Sequence, residues 1–242
     1  MLANFYGLEA NGVYSAAYKF SNICVTLFSI FSLTWTESAV LHFNDSDKDD
    51  FYSKIFNETF KIFSCLCLGI IAIMSIVFKF VIVGDSYAEA YYQIPILLIA
   101  TVFNIVVSMY GSVYVATKNS KKIAITSIYS AIINILVNLS LIKIIGLYAA
   151  SISTLVAYFA MSIYRFFDTN KYVKIKWDFK YLISFTFITA LIIIIYYLGD
   201  KLMKFVGLIG VIFYSIYFNI IFINKIALII KNKLRGLSNE KK

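Results

Sequence analysis

Seven polar residues near the start of the chain follow the spacing of one face of an α-helix. They recur every three or four positions: Ser15, Lys19, Asn22, Thr26, Ser29, Ser32 and Thr36. Side chains at such intervals lie on the same side of a helix. This face combines one ammonium group with amide and hydroxyl groups, so it can line a wet or polar surface and attract an anion.

Two interpretations of this polar face are open. Serine and threonine are small and commonly pack against a neighbouring helix, so the hydroxyl groups alone favour simple packing. Lys19 and Asn22 favour a water-filled cavity, because an unpaired ammonium group is costly in a dry interface. Glu37 lies about 27 Å from Lys19 along a helix and cannot neutralise it. Lys19 therefore needs another counter-ion, and an anionic substrate is one candidate.

The residue types that usually carry catalysis or hold metals are sparse. His42 is the only histidine, so neither a zinc cluster nor a Ser-His-Asp arrangement can be assembled around it. The acidic run 45–50 begins like a calcium loop, but Asp50 and Phe56 stand where that loop requires glycine and glutamate. A solvated loop is the favoured interpretation of this run. The sequence therefore predicts no enzyme activity, no bound metal and no cofactor.

Composition indicates which solvent surrounds the elements that carry these residues. Of the 242 residues, 61% are hydrophobic and only 14% are charged, whereas soluble domains carry about 25% charged residues. Seven uncharged runs are each long enough to cross a hydrocarbon core of about 30 Å as a helix. They are 20–36, 62–78, 90–117, 123–142, 144–164, 181–199 and 205–224. Because the runs lack the alternation of transmembrane strands, the predicted fold is all-α, a polytopic membrane bundle of about seven helices.

The predicted helices form one membrane-embedded lobe over residues 1–242. Their expected bounds are about 12–40, 58–82, 88–116, 122–143, 144–165, 180–199 and 203–230. Of the 22 Lys and Arg residues, 17 lie at one side of this bundle, and Arg165 is counted there with the connection after helix five. Basic residues are enriched in cytoplasmic loops, which predicts an outside N-terminus and a cytoplasmic C-terminus. The net charge of +9 is then a topology signal and not evidence for a nucleic-acid partner.

Further polar residues lie inside the predicted helices three and four. Helix three carries Asn104, Ser108 and Gly111 on one face, and helix four carries Asn134 and Asn138 on one face. The asparagines of helix four favour hydrogen bonds between helices, with cavity lining as the alternative. Helices six and seven are almost purely apolar and are predicted to face lipid.

Four passages, taken in their order along the chain, resemble a known transporter family. They are 12–19 (GVYSAAYK), 84–88 (GDSYA), 116–122 (ATKNSKK) and 134–150, the last with Asn134, Asn138 and GLYAA at 146–150. In order and spacing they are similar to the C-terminal half of polysaccharide flippases. These are the O-antigen and teichoic-acid exporters of the superfamily that also contains the multidrug and toxin exporters. The resemblance covers nearly the whole chain.

The resemblance implies a transporter in which two lobes enclose a central cavity that opens alternately to each side. The seven helices match the last seven of a 14-helix member, so the N-terminal lobe is absent and a truncated reading frame or a fragment is expected. The implied substrate is a polyprenyl-diphosphate-linked oligosaccharide, flipped across the bacterial cytoplasmic membrane for lipopolysaccharide or capsule assembly. The implied cavity residues are Lys19 for the diphosphate, Asn22, Thr26, Asn134 and Asn138 for the sugar hydroxyls, and Ser29 and Asn104 beside them.

Three alternatives to this function are open. Half of a cation-coupled multidrug exporter needs a carboxylate within the membrane, and Glu37 is the candidate. A membrane enzyme that acts on lipid-linked sugars typically has a large external loop or an Arg/His-rich segment, which the sequence does not contain. A non-catalytic half-transporter would work only with a separate N-terminal lobe or as a homodimer.

Overall fold

The seven apolar segments fold into seven α-helices in the computed structural model, which describes residues 2–82 and 87–239. The helices are α1 (Leu2–Leu41), α2 (Lys48–Val81), α3 (Ala90–Ala116), α4 (Lys121–Ile145), α5 (Tyr148–Thr169), α6 (Phe179–Leu198) and α7 (Lys201–Asn239). The described residues contain no strand, and each helix includes a segment long and apolar enough to cross a membrane. The predicted all-α bundle of about seven such helices is confirmed. The 84–88 passage lies largely outside the described residues.

Two helices begin earlier than predicted. α1 starts at Leu2 but is interrupted at Gly7, whose φ of 81° lies in a region that other residues rarely adopt. α2 starts at Lys48 and not at 58, so the end of the acidic run is helical and not a solvated loop. Asp49 and Asp50 lie in the first turn of α2, where negative charge interacts favourably with the positive end of the helix dipole.

α3 is the central helix of the bundle. It packs against α1, α2 and α5, whereas α4 packs mainly on α5, and α6 and α7 pack on α2. The most apolar segment of α3 is 72% buried, compared with 17% for α6 and 11% for α7. The exposure of α6 and α7 agrees with their predicted position facing lipid. α4 is as exposed as α6, which the sequence did not indicate.

One end of the bundle, here termed the basic end, is where α1, α3 and α5 finish and α2, α4 and α6 begin. There the 173–178 segment runs alongside α2, and three α2 side chains accept hydrogen bonds from its alternate backbone N–H groups. The pairs are Asp49 with Lys174 (3.0 Å), Ser53 with Lys176 (2.8 Å) and Asn57 with Asp178 (2.9 Å). Four helical residues advance about 6.0 Å and two extended residues about 6.6 Å, so the two repeats match over three bonds.

At the opposite end, two pairs of adjacent tyrosines join the start of α3 to the end of α6. Tyr91, Tyr92, Tyr196 and Tyr197 are termed the tyrosine clasp. The rings of Tyr91 and Tyr196 stack with centroids 4.3 Å apart, and each hydroxyl donates to the backbone oxygen of the other residue, at 2.8 and 2.7 Å. The Tyr197 hydroxyl donates to the backbone oxygen of Tyr92 at 2.7 Å. The clasp therefore ties the exposed helix α6 directly to the central helix.

Asp178 joins the 173–178 segment to both α6 and α2. Its carboxylate accepts hydrogen bonds from the backbone N–H of Tyr181 (3.1 Å) in the first turn of α6 and from Lys61 Nζ of α2 (2.6 Å). The hydrogen bond from Lys61 lowers the pKa of the Asp178 carboxyl below its ordinary value. The resulting stability is present above the ordinary pKa of about 3.9 and is lost as the pH falls through the lowered pKa.

Asp178→Ala is expected to lower the apparent unfolding temperature in detergent by a few degrees. It removes the helix cap, worth about 1 kcal/mol, and the partly exposed ion pair, worth less than about 1 kcal/mol. Asp178→Asn should have a smaller effect, because the amide oxygen can still cap α6, and its deficit should shrink as the pH falls below about 3.9. Size-exclusion chromatography after heating measures these changes. Asp50→Asn is the control, because Asp50 and its partner Lys176 are both exposed, and an equal loss there would contradict this explanation.

Candidate functional site

A polar cleft of about 840 Å³ lies between four helices, with α1 and α4 as its walls and α3 and α5 as its floor. Its polar lining residues are Tyr14, Tyr18, Ser32 and Thr36 of α1, Asn104, Ser108 and Ser112 of α3, Ser127, Ser130 and Asn134 of α4, and Thr154, Tyr158 and Arg165 of α5. Hydroxyl, amide and guanidinium groups are costly to expose to lipid. The cleft is therefore the part of this bundle that is suited to a polar ligand.

The α3 side of the cleft has a regular polar face. Asn104, Ser108 and Ser112 follow one another at four-residue intervals, which places them on one side of α3. The hydroxyls of Thr36 and Ser112 lie 3.0 Å apart and form a hydrogen bond between α1 and α3. This bond joins one wall of the cleft to its floor near the basic end.

The α4 side is joined to α5 by three polar residues, also four residues apart. The hydrogen bonds, each 3.3 Å long, are Ser130 to the Ala157 backbone oxygen, Asn134 to the Thr154 hydroxyl and Asn138 to the Ser153 hydroxyl. Asn134 and Asn138 thus form the interhelical bonds that the sequence favoured. Asn134 also lines the cleft, whereas Asn138 is buried against α5.

Arg165 stands at the basic end of the cleft and is only 3% exposed. Its Nη1 donates to the Val107 backbone oxygen (2.8 Å), its Nε and Nη2 to the Thr126 hydroxyl (3.1 and 2.7 Å), and its Nη2 also to the Ile123 backbone oxygen (3.3 Å). Gly111 leaves room for the guanidinium, since a Cβ there would lie 3.3 Å from Nη1. These partners are all neutral. Within 2–82 and 87–239, no carboxylate lies within ion-pair distance of Arg165.

Asp168, one turn further along α5, is occupied by other partners. Its carboxylate accepts hydrogen bonds from the Tyr114 hydroxyl (2.9 Å), from Lys122 Nζ (2.6 Å) and from Lys171 Nζ (3.0 Å). The ring of Tyr114 lies beside Arg165, with its centroid 5.7 Å from Cζ. Because Asp168 pairs with two lysines, the charge of Arg165 has no anionic partner among the described residues.

Comparison of the chain with models of protein families, with curated proteins and with solved structures finds no match. Function is therefore inferred from the chemistry of the cleft. That chemistry is a row of hydroxyl and amide groups, three tyrosine rings at one end and one buried cation at the other.

The predicted cavity residues are distributed over two surfaces. Asn104 and Asn134 line the cleft. Exposed positions on α1 that do not line it are Lys19, Asn22, Thr26, Ser29 and Glu37. The polar face of α1 repeats on average every 3.5 residues, so it drifts around a helix of 3.6 residues per turn, and only its last members, Ser32 and Thr36, reach the cleft. Substrate contact by any of these residues stays a prediction.

Sequence reasoning did not select several of the lining residues, among them Arg165 and the tyrosines Tyr14, Tyr18 and Tyr158. In the sequence, Arg165 falls in a connection because each uncharged run ends at a charged residue. A signal was nevertheless available. Arg165 lies seven residues after Tyr158 and 11 after Thr154, and both intervals return to within about 20° of the same direction around a helix of 3.6 residues per turn.

Proposed function

We propose that the chain is the C-terminal half of a transporter that flips lipid-linked oligosaccharides across the bacterial cytoplasmic membrane, for cell-surface polysaccharide biosynthesis. The observation that carries this proposal is the cleft, which joins a row of hydroxyl and amide groups to one buried, unneutralised arginine. A polyprenyl-diphosphate-linked glycan has the complementary chemistry. Its diphosphate is anionic, and its sugar rings are rich in hydroxyl groups.

The dimensions of the cleft suit a short glycan. Thr154 and Arg165 are 11 residues apart on α5, which corresponds to about 16 Å along the helix. With the diphosphate at Arg165, the sugars extend toward Asn134, Thr154 and Tyr158. Arg165 is favoured over Lys19 as the diphosphate partner, because it lines the cleft and is shielded from water.

We also propose how the bundle is oriented in the membrane and what completes the wall of its cavity. The basic end faces the cytoplasm, as the distribution of Lys and Arg predicts. A second lobe, either a separate N-terminal lobe or another copy of this chain, completes the cavity on the side of α1 that exposes Lys19, Asn22 and Thr26. Movement of the two lobes against each other then exposes the bound lipid to each side in turn.

Half of a cation-coupled multidrug exporter is the second candidate, and one observation favours it. Asp168 is a carboxylate within α5 that is only 6% exposed, whereas Glu37, the predicted coupling residue, is exposed on α1. Proton-driven export of a cationic drug that is abolished by Asp168→Asn would favour this function. The two lysines bonded to Asp168 argue against it, because a neutralised carboxylate has little tendency to take up a proton at neutral pH.

Binding to the purified chain in nanodiscs tests the flippase proposal. A polyprenyl-diphosphate-linked oligosaccharide is expected to bind at least tenfold more tightly than the same polyprenyl diphosphate without sugars. The double variant Asn104→Ala/Asn134→Ala should lose most of that difference, because both amides face the cleft. Ser140→Ala is the control, since the exposed Ser140 hydroxyl bonds only its own helix, at Leu136. Equal affinity for the two lipids, or no binding of either, would contradict the proposal.

A further inference from the structure

The basic end of α4 is bonded to two side chains of α5. Arg165 of α5 reaches α4 at Ile123 and Thr126. Lys122, in the first turn of α4, donates to Asp168 of α5 at 2.6 Å. α4 otherwise packs mainly on α5 and has few contacts with α3. At the basic end, the polar bonds of Arg165 and Lys122 therefore add to this packing in holding α4 as a wall of the cleft.

Among these contacts, the ion pair between Lys122 and Asp168 joins two helices, α4 and α5. The side chain of Asp168 is 7% exposed and that of Lys122 is 28% exposed. Tyr114 brings α3 into the same contact, because its hydroxyl donates to Asp168 at 2.9 Å. Lys122 Nζ also lies 3.3 Å from the Tyr172 hydroxyl. Three helices thus meet at one carboxylate.

Lys171 provides the contrast. It also binds Asp168, at 3.0 Å, but it lies three residues further along the same stretch of chain, and its side chain is 69% exposed. Its bond therefore connects no second helix. Lys122 and Lys171 carry the same charge to the same carboxylate, and only Lys122 ties α4 to α5.

We propose that Lys122, Asp168 and Tyr114 form a latch that holds α4 against α3 and α5 and closes the cleft at the basic end. Release of Lys122 lets the start of α4 move outward and opens the cleft to the solvent on that side. This inference concerns how ligands gain access to the cleft, whatever their identity, and it does not rest on the proposed function.

The ion pair between Lys122 and Asp168 can separate and form again without leaving either side chain unsatisfied. When Lys122 leaves, Asp168 keeps Lys171 and Tyr114, so no buried carboxylate is left unpaired. Lys122 lies in the first turn of α4, next to the 117–120 connection, and its long side chain can reach water from there. Both partners are therefore stabilised in the open state as well as in the closed one.

A cysteine within the cleft reports on opening. Met161 lines the cleft, lies on α5 one turn before Arg165 and is 7% exposed, so Met161→Cys fits without crowding. Labelling of this cysteine by a water-soluble maleimide is measured in isolated membranes. The unsubstituted chain serves as the background, because its cysteines Cys24, Cys65 and Cys67 are all buried.

Adding Lys122→Met to this reporter is expected to raise the labelling rate about tenfold, because the loss of a partly buried ion pair shifts the opening equilibrium by about that factor. Lys122→Arg should leave the rate near that of the reporter alone, since it preserves the charge and the donor. Lys171→Met should also leave it unchanged. Tyr114→Phe, which removes a single hydroxyl, should raise it about two- to threefold.

Size-exclusion chromatography of each variant establishes that it is folded. If Lys122→Met does not fold, Tyr114→Phe decides the outcome, because it keeps the volume of the buried ring. Unchanged labelling in the folded Lys122→Met and Tyr114→Phe variants would overturn the latch. An equal rise in Lys171→Met would also overturn it, since the effect would then follow charge and not the link between helices.

Discussion

Arg165→Met is expected to weaken binding of a polyprenyl-diphosphate-linked oligosaccharide about 30- to 1000-fold, with only a small loss of stability in the ligand-free protein. Affinity falls because loss of a buried charge pair with the ligand costs about 2–4 kcal/mol, and about 1.4 kcal/mol is a factor of ten. The loss of stability is small because the apolar side chain no longer buries a charge without a counter-ion among the described residues, which offsets the lost hydrogen bonds to α3 and α4. Ligand titration in nanodiscs and thermal unfolding measure the two quantities.

The contrast between a large loss of affinity and a small change in stability separates a binding arginine from a structural one. Lys171→Met is the matched control, because it removes the same charge from an exposed side chain that does not line the cleft. It should change affinity by less than about fivefold, as expected for an exposed charge. If Arg165→Met unfolds the protein, or if Lys171→Met weakens binding equally, Arg165 has a structural role and no direct role in binding.

Tyr196→Ala is expected to cause a large loss of stability, about 4 kcal/mol or about 10 °C in apparent unfolding temperature. Tyr196 is 1% exposed, and its ring stacks on Tyr91 in the tyrosine clasp. Truncation leaves a cavity where α6 meets α3 and removes the bond to the Tyr91 backbone oxygen. Tyr196→Phe keeps the ring and should cost only about 1 kcal/mol. Heating in detergent followed by chromatography measures both variants.

Tyr217→Ala is the control for the tyrosine clasp, because Tyr217 is 73% exposed on α7 and should tolerate truncation in detergent. The clasp also predicts where the molecule opens first. Limited proteolysis of Tyr196→Ala should cut the connection 199–200 faster than in the unsubstituted chain, because the end of α6 beside it loses its attachment to α3. Equal stability of Tyr196→Ala and Tyr217→Ala would mean that the clasp contributes nothing to the fold.

The helices could be predicted from the sequence because the length of an uncharged apolar run is set by the thickness of the bilayer. The same rule hid Arg165 and Asp168, since it ends a membrane-spanning helix at each charged residue. α5 continues past Arg165 to Thr169, because Arg165 and Asp168 are satisfied by partners on other helices. Those partners are distant in sequence, so no local sequence pattern indicates them.

The cleft could be predicted only in part. Periodicity indicates which residues of one helix share a face, and so it placed Asn134 and Asn138 together on α4. It does not indicate which neighbouring helix that face meets. Lys19 and Asn22 therefore lie on the polar face that favours cavity lining and yet are exposed on a side of α1 that does not line the cleft.

The contact between α2 and the 173–178 segment pairs two repeats of slightly different length, so the two repeats stay in register over only a few bonds. Four helical residues and two extended residues differ in length by about 0.6 Å. In ideal geometry the third bond is therefore about 1.2 Å out of register with the first. A fourth backbone bond would be about 1.8 Å out of phase, beyond the tolerance of a hydrogen bond. At that fourth position α2 carries Lys61, whose long side chain reaches the Asp178 carboxylate. The extended segment ends there, and α6 begins. Inserting a single residue between 173 and 178 would move every later backbone N–H group of the segment away from its acceptor on α2. The spacing of side chains along α2 therefore fixes the length of this connection.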